Sequence, residues 1–315
     1  MGSTRFQFSV IVPTYNRPGL VNRCLRAMTR LAYHVDRFEV VVVDDGSRTP
    51  LDGVVEPFFD KLNITLIRQP NRGPGAARNE GAAVARGHFL AFTDDDCRPA
   101  SDWLQKLETR FGDTPDGMIG GRVINPLKHN PYSTASQLIV DMAYTFYNQH
   151  PQPSFFFTSN NMAVPAALFH KAGGFNAAFR TASEDRELCD RWLHIGHKMT
   201  YAPEVLVFHT QALTLRSFCM QHLNYGRGAF QYHQVRKRRG SGKIQNDMKF
   251  YPQFPRLLRD SMANIPQART AKVFMLLLLW QMFNAVGFWY ETYNNSKSTV
   301  TAPQKTNDTE DKTVG

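Results

Sequence analysis

Hydrophobic and polar positions alternate between two periods through the early part of the chain. Phe8-Ser-Val-Ile-Val12 is a β-rich run that stops at Pro13. Asn16 is placed to cap a helix whose first position is Pro18, and apolar residues then recur at Val21, Cys24, Leu25, Met28 and Leu31. Phe38-Glu-Val-Val-Val-Val43 is a second run of strand length, ending at Asp44-Asp45-Gly46-Ser47. A helix-like stretch leads to a third, Ile64-Thr-Leu-Ile67. Pro74 opens a helix of small residues that Gly87 closes, and His88-Phe-Leu-Ala-Phe-Thr93 runs into Asp94-Asp95-Asp96.

Strands alternating with helices predict an α/β chain with a doubly wound, mainly parallel sheet of Rossmann-like type. Uninterrupted Val and Ile suit strands covered on both faces. Ligands of such sheets gather beyond the carboxyl ends of the strands. Three strands here end in Pro-Thr-Tyr-Asn, Asp-Asp-Gly-Ser and Asp-Asp-Asp, so the polar chemistry falls at the expected edge.

The second half is less regular. Ser159-Asn160-Asn161 precedes a Met-Ala-Val strand. A Gly173-Gly-Phe175 turn precedes Ser183-Glu184-Asp185, and the following helix runs to about Ile195, with Ser183 as its cap and Gly196 as its stop. Val205-Leu-Val-Phe208 is a further strand ending at His209. Residues 214–232 read as helix, Arg236-Lys-Arg-Arg239 is a basic run, and 294–315 is a polar stretch expected to be disordered.

Composition narrows the class. Of the 315 residues, 42% are hydrophobic and 20% charged, which excludes collagen-like, wholly disordered and polytopic membrane chains. The 37 Lys and Arg against 27 Asp and Glu give a net charge of +10, which suggests an anionic partner: nucleic acid, a phosphorylated small molecule or an acidic lipid surface. Cys24, Cys97, Cys189 and Cys219 are widely spaced without a CxxC pair, and are expected to be reduced thiols of a cytoplasmic protein. No secretory leader is expected at the N-terminus.

Three adjacent aspartates at a strand end repel one another unless something compensates them. A hard divalent cation does so, and Mg²⁺ typically takes one or two carboxylates and fills its other positions from a diphosphate and water. Asp94 and Asp96, two apart, can face one loop while Asp95 points elsewhere. A solvated turn would also be acidic, but an apolar strand delivers these charges to the ligand-binding edge.

Taken in order, Val12-Pro-Thr-Tyr-Asn16, Val43-Asp-Asp-Gly-Ser47, Asn71-Arg-Gly-Pro-Gly-Ala-Ala-Arg-Asn79, Phe92-Thr-Asp-Asp-Asp96, Gly173-Gly-Phe175 and Glu184-Asp185 resemble a family 2 inverting glycosyltransferase of the GT-A fold. The likeness covers roughly residues 6–240. It implies a nucleotide-binding half at about 6–97 and an acceptor half at about 98–240, within a catalytic domain 1–240 followed by a helical extension, 241–293. It also implies donor contacts from Pro13, Thr14, Tyr15, Asn16 and Arg17, with Tyr15 against the nucleobase. Asp45 would accept from the uracil imide of a UDP-sugar, and Arg78 or Arg72 would meet the base or the diphosphate. Asp94, with Asp95 beside it on the donor side, would hold the ribose or sugar. Asp96 would ligate Mn²⁺ or Mg²⁺, with His209 as a second ligand.

The same resemblance implies Asp185 as the general base and Glu184 as a positioning residue for the acceptor or the helix. A helix N-terminus should keep Asp185 ionised, and late proton transfer makes a modestly basic carboxylate sufficient. A single base opposite the leaving diphosphate gives one displacement with inversion. Acceptor contacts are expected from Asn160 and Asn161, with Trp192 beside them. Gln221-His-Leu-Asn-Tyr225 lacks the Arg-Trp that polymerising members carry, so one sugar is expected per binding event. The expected partners are a nucleotide-sugar donor and a carbohydrate, lipid-linked or other hydroxyl acceptor, with no nucleic acid.

Residues 273–290 carry no charge and include Met275-Leu-Leu-Leu-Leu-Trp280, a stretch borderline for a bilayer core. Arg269 and Lys272 before it, and Trp and Tyr at its far end, suit a membrane interface, so buried, interfacial and spanning placements stay open. Arg236 to Arg239 could be a solvated loop, an acidic-lipid contact or a wall of the diphosphate site. A cytoplasmic protein is expected, with peripheral contact at the inner face of the cell membrane left open. A sugar-phosphate nucleotidyltransferase, a basic nucleic-acid-binding protein and an inactive scaffold are the competing possibilities. The first lacks its Gly-rich phosphate loop, and the second lacks base-stacking or groove-reading signatures.

Overall fold

The apolar runs become the centre of one eight-stranded sheet. A computed structural model describes residues 6–150, 152–263 and 265–300. The elements follow as β1 (Phe6–Thr14), α1 (Pro18–Met28), β2 (Phe38–Asp44), α2 (Asp52–Val55), β3 (Ile64–Arg68), α3 (Pro74–Val84), β4 (Gly87–Phe92), β5 (Cys97–Pro99), α4 (Trp103–Asp113) and β6 (Met118–Ile124). Next come α5 (Pro131–Tyr147), β7 (Met162–Pro165), α6 (Ala166–Lys171), α7 (Glu184–His194), β8 (Met199–His209), α8 (Leu215–Arg239), α9 (Ile244–Met248), α10 (Phe250–Met262) and α11 (Gln267–Val300).

The sheet order is β3-β2-β1-β4-β7-β6-β8-β5. Strands β1 to β4 pair in parallel, as the alternating pattern predicts. Beyond β4 the sheet becomes mixed, because β7 runs antiparallel to both β4 and β6 while β6 and β8 are parallel. Two positional consequences matter for the site. The pair Phe92↔Met162 sets the residues just before Met162 beside the acidic end of β4. The antiparallel pair Cys97↔His209, between β5 and β8, brings His209 alongside the same loop.

Alternate strand residues feed two cores. Val10, Val12, Val40 and Val42 pack with Val21 and Leu25 of α1 and Trp103 of α4. Ile11, Val41 and Val43 pack with Ala77 of α3, Phe169 of α6 and Leu188 of α7 on the opposite face. Both faces are covered, which is why these strands lack polar alternation. Gly81 of α3 has no room for more: a Cβ there would lie 2.7 Å from Ile11 Cγ2.

A third core joins α5, α8, α10 and α11 through Leu138, Phe218, Leu257, Val273, Leu277 and Trp280. Here α8 and α11 meet backbone to backbone. A side chain on Gly226 would strike the Asn284 carbonyl, and one on Gly287 the Leu223 carbonyl. One helical stretch, Gln267–Ser296, is long and apolar enough to cross a membrane. Its inner face is committed to α8, whose sequence includes Arg216, Arg227, Arg236, Lys237, Arg238 and Arg239. α11 is thus half-buried, with one face inside and one outside.

Several local expectations change. Asn16 does not cap α1: it adopts a left-handed φ of 56°, and Arg17 takes the cap position without a side-chain bond. Ser183 sits at the α7 cap position with φ 73° and also makes no capping bond. The helix from Leu215 extends through the basic run to Arg239, where Gly240 at φ 74° ends it. Residues from Asn294 onward, read as a polar disordered stretch, continue α11 to Val300, and 301–315 lie outside the described residues. All four cysteines are free; Cys24, Cys97 and Cys189 are buried and Cys219 is half-buried.

Candidate active site

A cleft of about 1010 Å³ opens at the carboxyl ends of β1 and β4. Pro13, Thr14, Tyr15, Arg17, Asp45, Arg78, Asp94, Asp95, Asp96, Asn160, Glu184, Asp185 and His209 all line it. The three aspartates divide their work. Asp95 turns back to the protein, accepting from Thr14 Oγ1 at 2.6 Å and Arg17 Nη1 at 3.2 Å. Burial pushes its carboxyl up to about 6, against the pull of Arg17 and Thr14. Asp96 Oδ1 lies 3.1 Å from His209 Nε2. Burial pushes Asp96 up, but the hydrogen bond and charge of His209, aided by Arg17, outweigh it and leave the carboxyl lowered. Asp94 accepts from Arg78 Nη2 at 2.6 Å.

The loops after β1, β2 and β3 are tied together by bonds to backbone groups. Asn16 donates its N–H to Ser47 Oγ at 2.8 Å and accepts from Arg48 N–H through Oδ1 at 2.8 Å, clamping the loop after β1 to the loop after β2. It does not line the cleft. Asp45 accepts from Gln69 Nε2 at 2.6 Å, Arg72 N–H at 2.9 Å and Gly73 N–H at 2.9 Å. A carboxylate offers about four acceptor positions, so most of its capacity is already used. Arg72 turns outward to Gln69 and Glu80, whereas Arg78 is buried under the cleft floor. Gly73, at φ 90°, leaves the backbone free to reach Asp45.

Arg78 also joins the two halves of the site. Its Nη1 donates to Glu184 Oε1 at 2.9 Å, so one guanidinium spans the acidic loop and the first residue of α7. Asn79, the next residue, exchanges two bonds with the backbone of Phe175, at 2.7 and 2.8 Å, which fixes the Gly-Gly-Phe turn. From the far side Gly228 of α8 presses on the turn before α7, where a Cβ would lie 2.6 Å from the Ala182 carbonyl oxygen.

Asp185 accepts from Arg186 N–H at 2.7 Å and, more loosely, from Ser159 N–H at 3.4 Å. Burial first, and then the neighbouring Glu184, raise its carboxyl to about 7, against the backbone N–H groups and Arg78. The expectation of an ordinary ionised carboxylate held by the helix end is corrected accordingly. Desolvation outweighs the stabilising backbone N–H groups and raises the basicity of the Asp185 carboxylate.

A divalent cation can be tested against the donor set. Among the described residues, Asp96, Cys97 and His209 bring ligand atoms within 4.8 Å of one another. Burial pushes the Cys97 thiol well up, so it stays protonated and does not suit a hard cation. The carboxylate and imidazole that remain fit Mn²⁺ better than Mg²⁺, which favours oxygen alone. Beside them Thr93 Oγ1 and Thr210 Oγ1 are buried without a protein partner.

Two acceptor expectations fall outside the cleft. Asn161 is fully engaged, accepting from Trp103 Nε1 and donating to the Arg122 and Val205 carbonyls, so it knits strands together. Trp192 is completely buried in the sheet core, its Nε1 donating to the Lys198 carbonyl at 3.0 Å. The basic run 236–239 is in part neither a loop nor a diphosphate wall. Arg236 pairs with Asp190 at 2.9 Å and Asp247 at 2.5 Å, and Arg239 pairs with Asp190 at 3.0 Å and with Glu187, latching α8 to α7. Gln221, which opens the segment that lacks Arg-Trp, lines the cleft, as do Arg180, Arg186 and Asn284, which escape sequence reasoning. No motif marks them, because the contacts that bring them there are distant in the chain.

Known proteins align with this arrangement. The family model described as glycosyl transferase family 2 matches residues 9–186. Glycosyltransferase AglE of Haloferax volcanii is 37% identical over 126 residues, covering 39% of this chain and 41% of its own. Pre-mycofactocin glycosyltransferase of Mycobacterium tuberculosis is 27% identical over 234 residues, covering 72% of this chain and 48% of its own. The chain thus spans about half the length, or less, of these curated relatives. Among solved structures, the mannosyltransferase PcManGT from Pyrobaculum calidifontis shares the fold at TM-score 0.63 and 20% identity, with 94% of this chain and 87% of that one covered. S. aureus TarS 1-349 does so at TM-score 0.53 and 18% identity, with 93% and 92% covered. With its family match over more than half the chain and its GT-A architecture, the chain belongs to glycosyl transferase family 2.

Proposed function

We propose that this chain transfers a single sugar from a nucleotide-diphosphate donor to a hydroxyl acceptor, with inversion at the anomeric carbon. One observation carries the reading: the strand-end aspartates, a buried arginine and a partly buried carboxylate of raised basicity all line one cleft. The acceptor hydroxyl gives its proton to Asp185 as its oxygen bonds to the anomeric carbon. The bond from that carbon to the diphosphate breaks, and its electron pair leaves with the diphosphate. No second carboxylate is assigned as a nucleophile, so a double displacement is not invoked.

Asp96 and His209 would hold a divalent cation, whose Lewis acidity offsets charge on a leaving diphosphate. Arg17, half-exposed at the cleft mouth, adds positive charge on the same side. Tyr15, 46% exposed, offers a free aromatic face to a nucleobase. Asn160, whose Oδ1 accepts from Thr158 Oγ1 at 2.8 Å, lies on the acceptor side near Asp185 in the loop before β7. Glu184 acts through Arg78 as a positioning residue.

Asp45 favours a uracil donor only through its remaining acceptor position. The solved neighbours were captured with GDP-Man and Mn²⁺ and with UDP-GlcNAc, so both nucleotides belong in the test. Free, mostly buried thiols suit a cytoplasmic setting. Calorimetric titration of UDP, GDP and dTDP, with and without Mn²⁺, decides the donor class. Metal-dependent binding of one nucleotide supports the reading, and no binding of any by the folded chain would overturn it.

A further inference from the structure

The outer face of α11 has no counterpart in the folded chain. Phe274, Met275, Leu278, Met282, Val286 and Trp289 are between 44% and 68% exposed. Their spacing places them on one side of the helix, opposite Val273, Leu276, Leu277 and Trp280, which are buried. Ala271 and Ala285 are the other exposed residues on that side, so no polar group interrupts it from 271 to 289. At 1.5 Å per residue the run from Phe274 to Trp289 is about 22 Å long. A helix apolar on both faces needs cover on both. Protein supplies one cover, and a stripe of this size marks a contact surface.

Charge selects what supplies the other. Residues 214–300 contain 13 Lys and Arg against 3 Asp and Glu, so the whole net charge of the chain, +10, resides in this helical part. A second copy docking through the stripe would bring two such regions together, and like charges oppose that. An anionic lipid surface accepts the apolar stripe and attracts the net positive charge of the helical part at once. Lys272, Arg256, Arg259, Lys249, Lys243 and Lys237 are all exposed. We propose that the outer face of α11 rests in the headgroup region of an anionic membrane, with the helix in the membrane plane. Trp280 and Asn284, which line the cleft, belong to the same helix, so the cleft ends against the element that lies on the lipid.

This inference does not depend on the transfer reaction, and its test uses no turnover. The full chain is sedimented with vesicles of phosphatidylglycerol and phosphatidylcholine in equal parts, and with vesicles of phosphatidylcholine alone. The triple variant Leu278→Ser, Met282→Ser, Trp289→Ser is run beside it, with circular dichroism to confirm that the exposed changes leave the helices intact. Sedimentation velocity reports the oligomeric state of both. The expected result is binding to the anionic vesicles that weakens about tenfold or more in the triple variant and also with added salt. A monomer that ignores anionic vesicles overturns the proposal, as does vesicle binding that the triple variant leaves unchanged. A dimer that the variant dissociates, without vesicle binding, assigns the stripe to a second copy instead.

Discussion

Arg78 and Glu184 stand 106 positions apart in the chain and 2.9 Å apart in space, and the same guanidinium reaches Asp94 at 2.6 Å. The acidic loop after β4 and the first turn of α7 therefore share one buried cation, whose charge Asp94 and Glu184 sustain against the cost of its burial.

Removing that cation should be costly. Arg78→Ala leaves Glu184 buried without its partner and is expected to lower stability by about 3 kcal/mol or more. Arg78→Lys keeps the charge but cannot make both bonds at once, so it should fold better than the alanine variant while binding donor nucleotide more weakly than wild type. Urea unfolding and nucleotide calorimetry separate the two effects.

Gly228→Ala tests the pressure of α8 on the turn that leads to Asp185, the proposed base. The added methyl would meet the Ala182 carbonyl and Ser183 Oγ, the latter at 2.7 Å, and should cost about 1–3 kcal/mol. Because the displaced turn leads directly into Glu184 and Asp185, turnover should fall more than nucleotide affinity does. Equal losses in both would place the effect elsewhere.

His222 gives a pH signature to stability. Its ring is buried against Phe218 and Tyr225, both nitrogens lack partners, and burial lowers its pKa to about 4. The folded chain therefore binds this proton less readily than the unfolded chain does, and stability is lost as pH falls from about 6.5 towards 4. At pH near 5 the loss is about 2 kcal/mol. His222→Phe should match wild type at neutral pH and lose less on acidification, as thermal unfolding across pH would show.

Asp96→Asn and His209→Asn address the cation. Each is expected to abolish or sharply weaken the Mn²⁺ dependence of nucleotide binding, while metal-free binding changes little. Unchanged Mn²⁺ titrations in both variants would remove the metal assignment.

The first four strands, their order along the chain and the acidic sheet edge were legible because each depends on local patterning, whereas β6, with Gly120 and Gly121 at its centre, was not read. Val40 to Val43 can satisfy alternate residues only if both faces are covered. The pairing of His209 with Asp96 was suggested by resemblance alone; its physical cause is the short strand β5, too brief to read from Cys97-Arg-Pro99. Asn16 and Ser183 looked like helix caps by residue type, but both take left-handed backbone angles, which composition does not reveal. Asn161 and Trp192 were acceptor candidates by resemblance, yet tertiary contacts consume both. The roles of Arg236 and Arg239 stayed open in the sequence because their partners, Glu187, Asp190 and Asp247, come from other elements.

The most direct test of the proposed chemistry compares Asp185→Asn with wild type in one preparation, measuring nucleotide binding by calorimetry and sugar transfer across pH. With Asp185 raised to about 7, wild-type transfer should climb as pH rises through that value, because the base must be unprotonated to accept the hydroxyl proton. The asparagine variant should bind nucleotide normally, lose about 100-fold or more of its turnover, and lose the climb near pH 7. Near-normal turnover in that variant, or a pH profile identical to wild type, would contradict the assignment of Asp185 as the base.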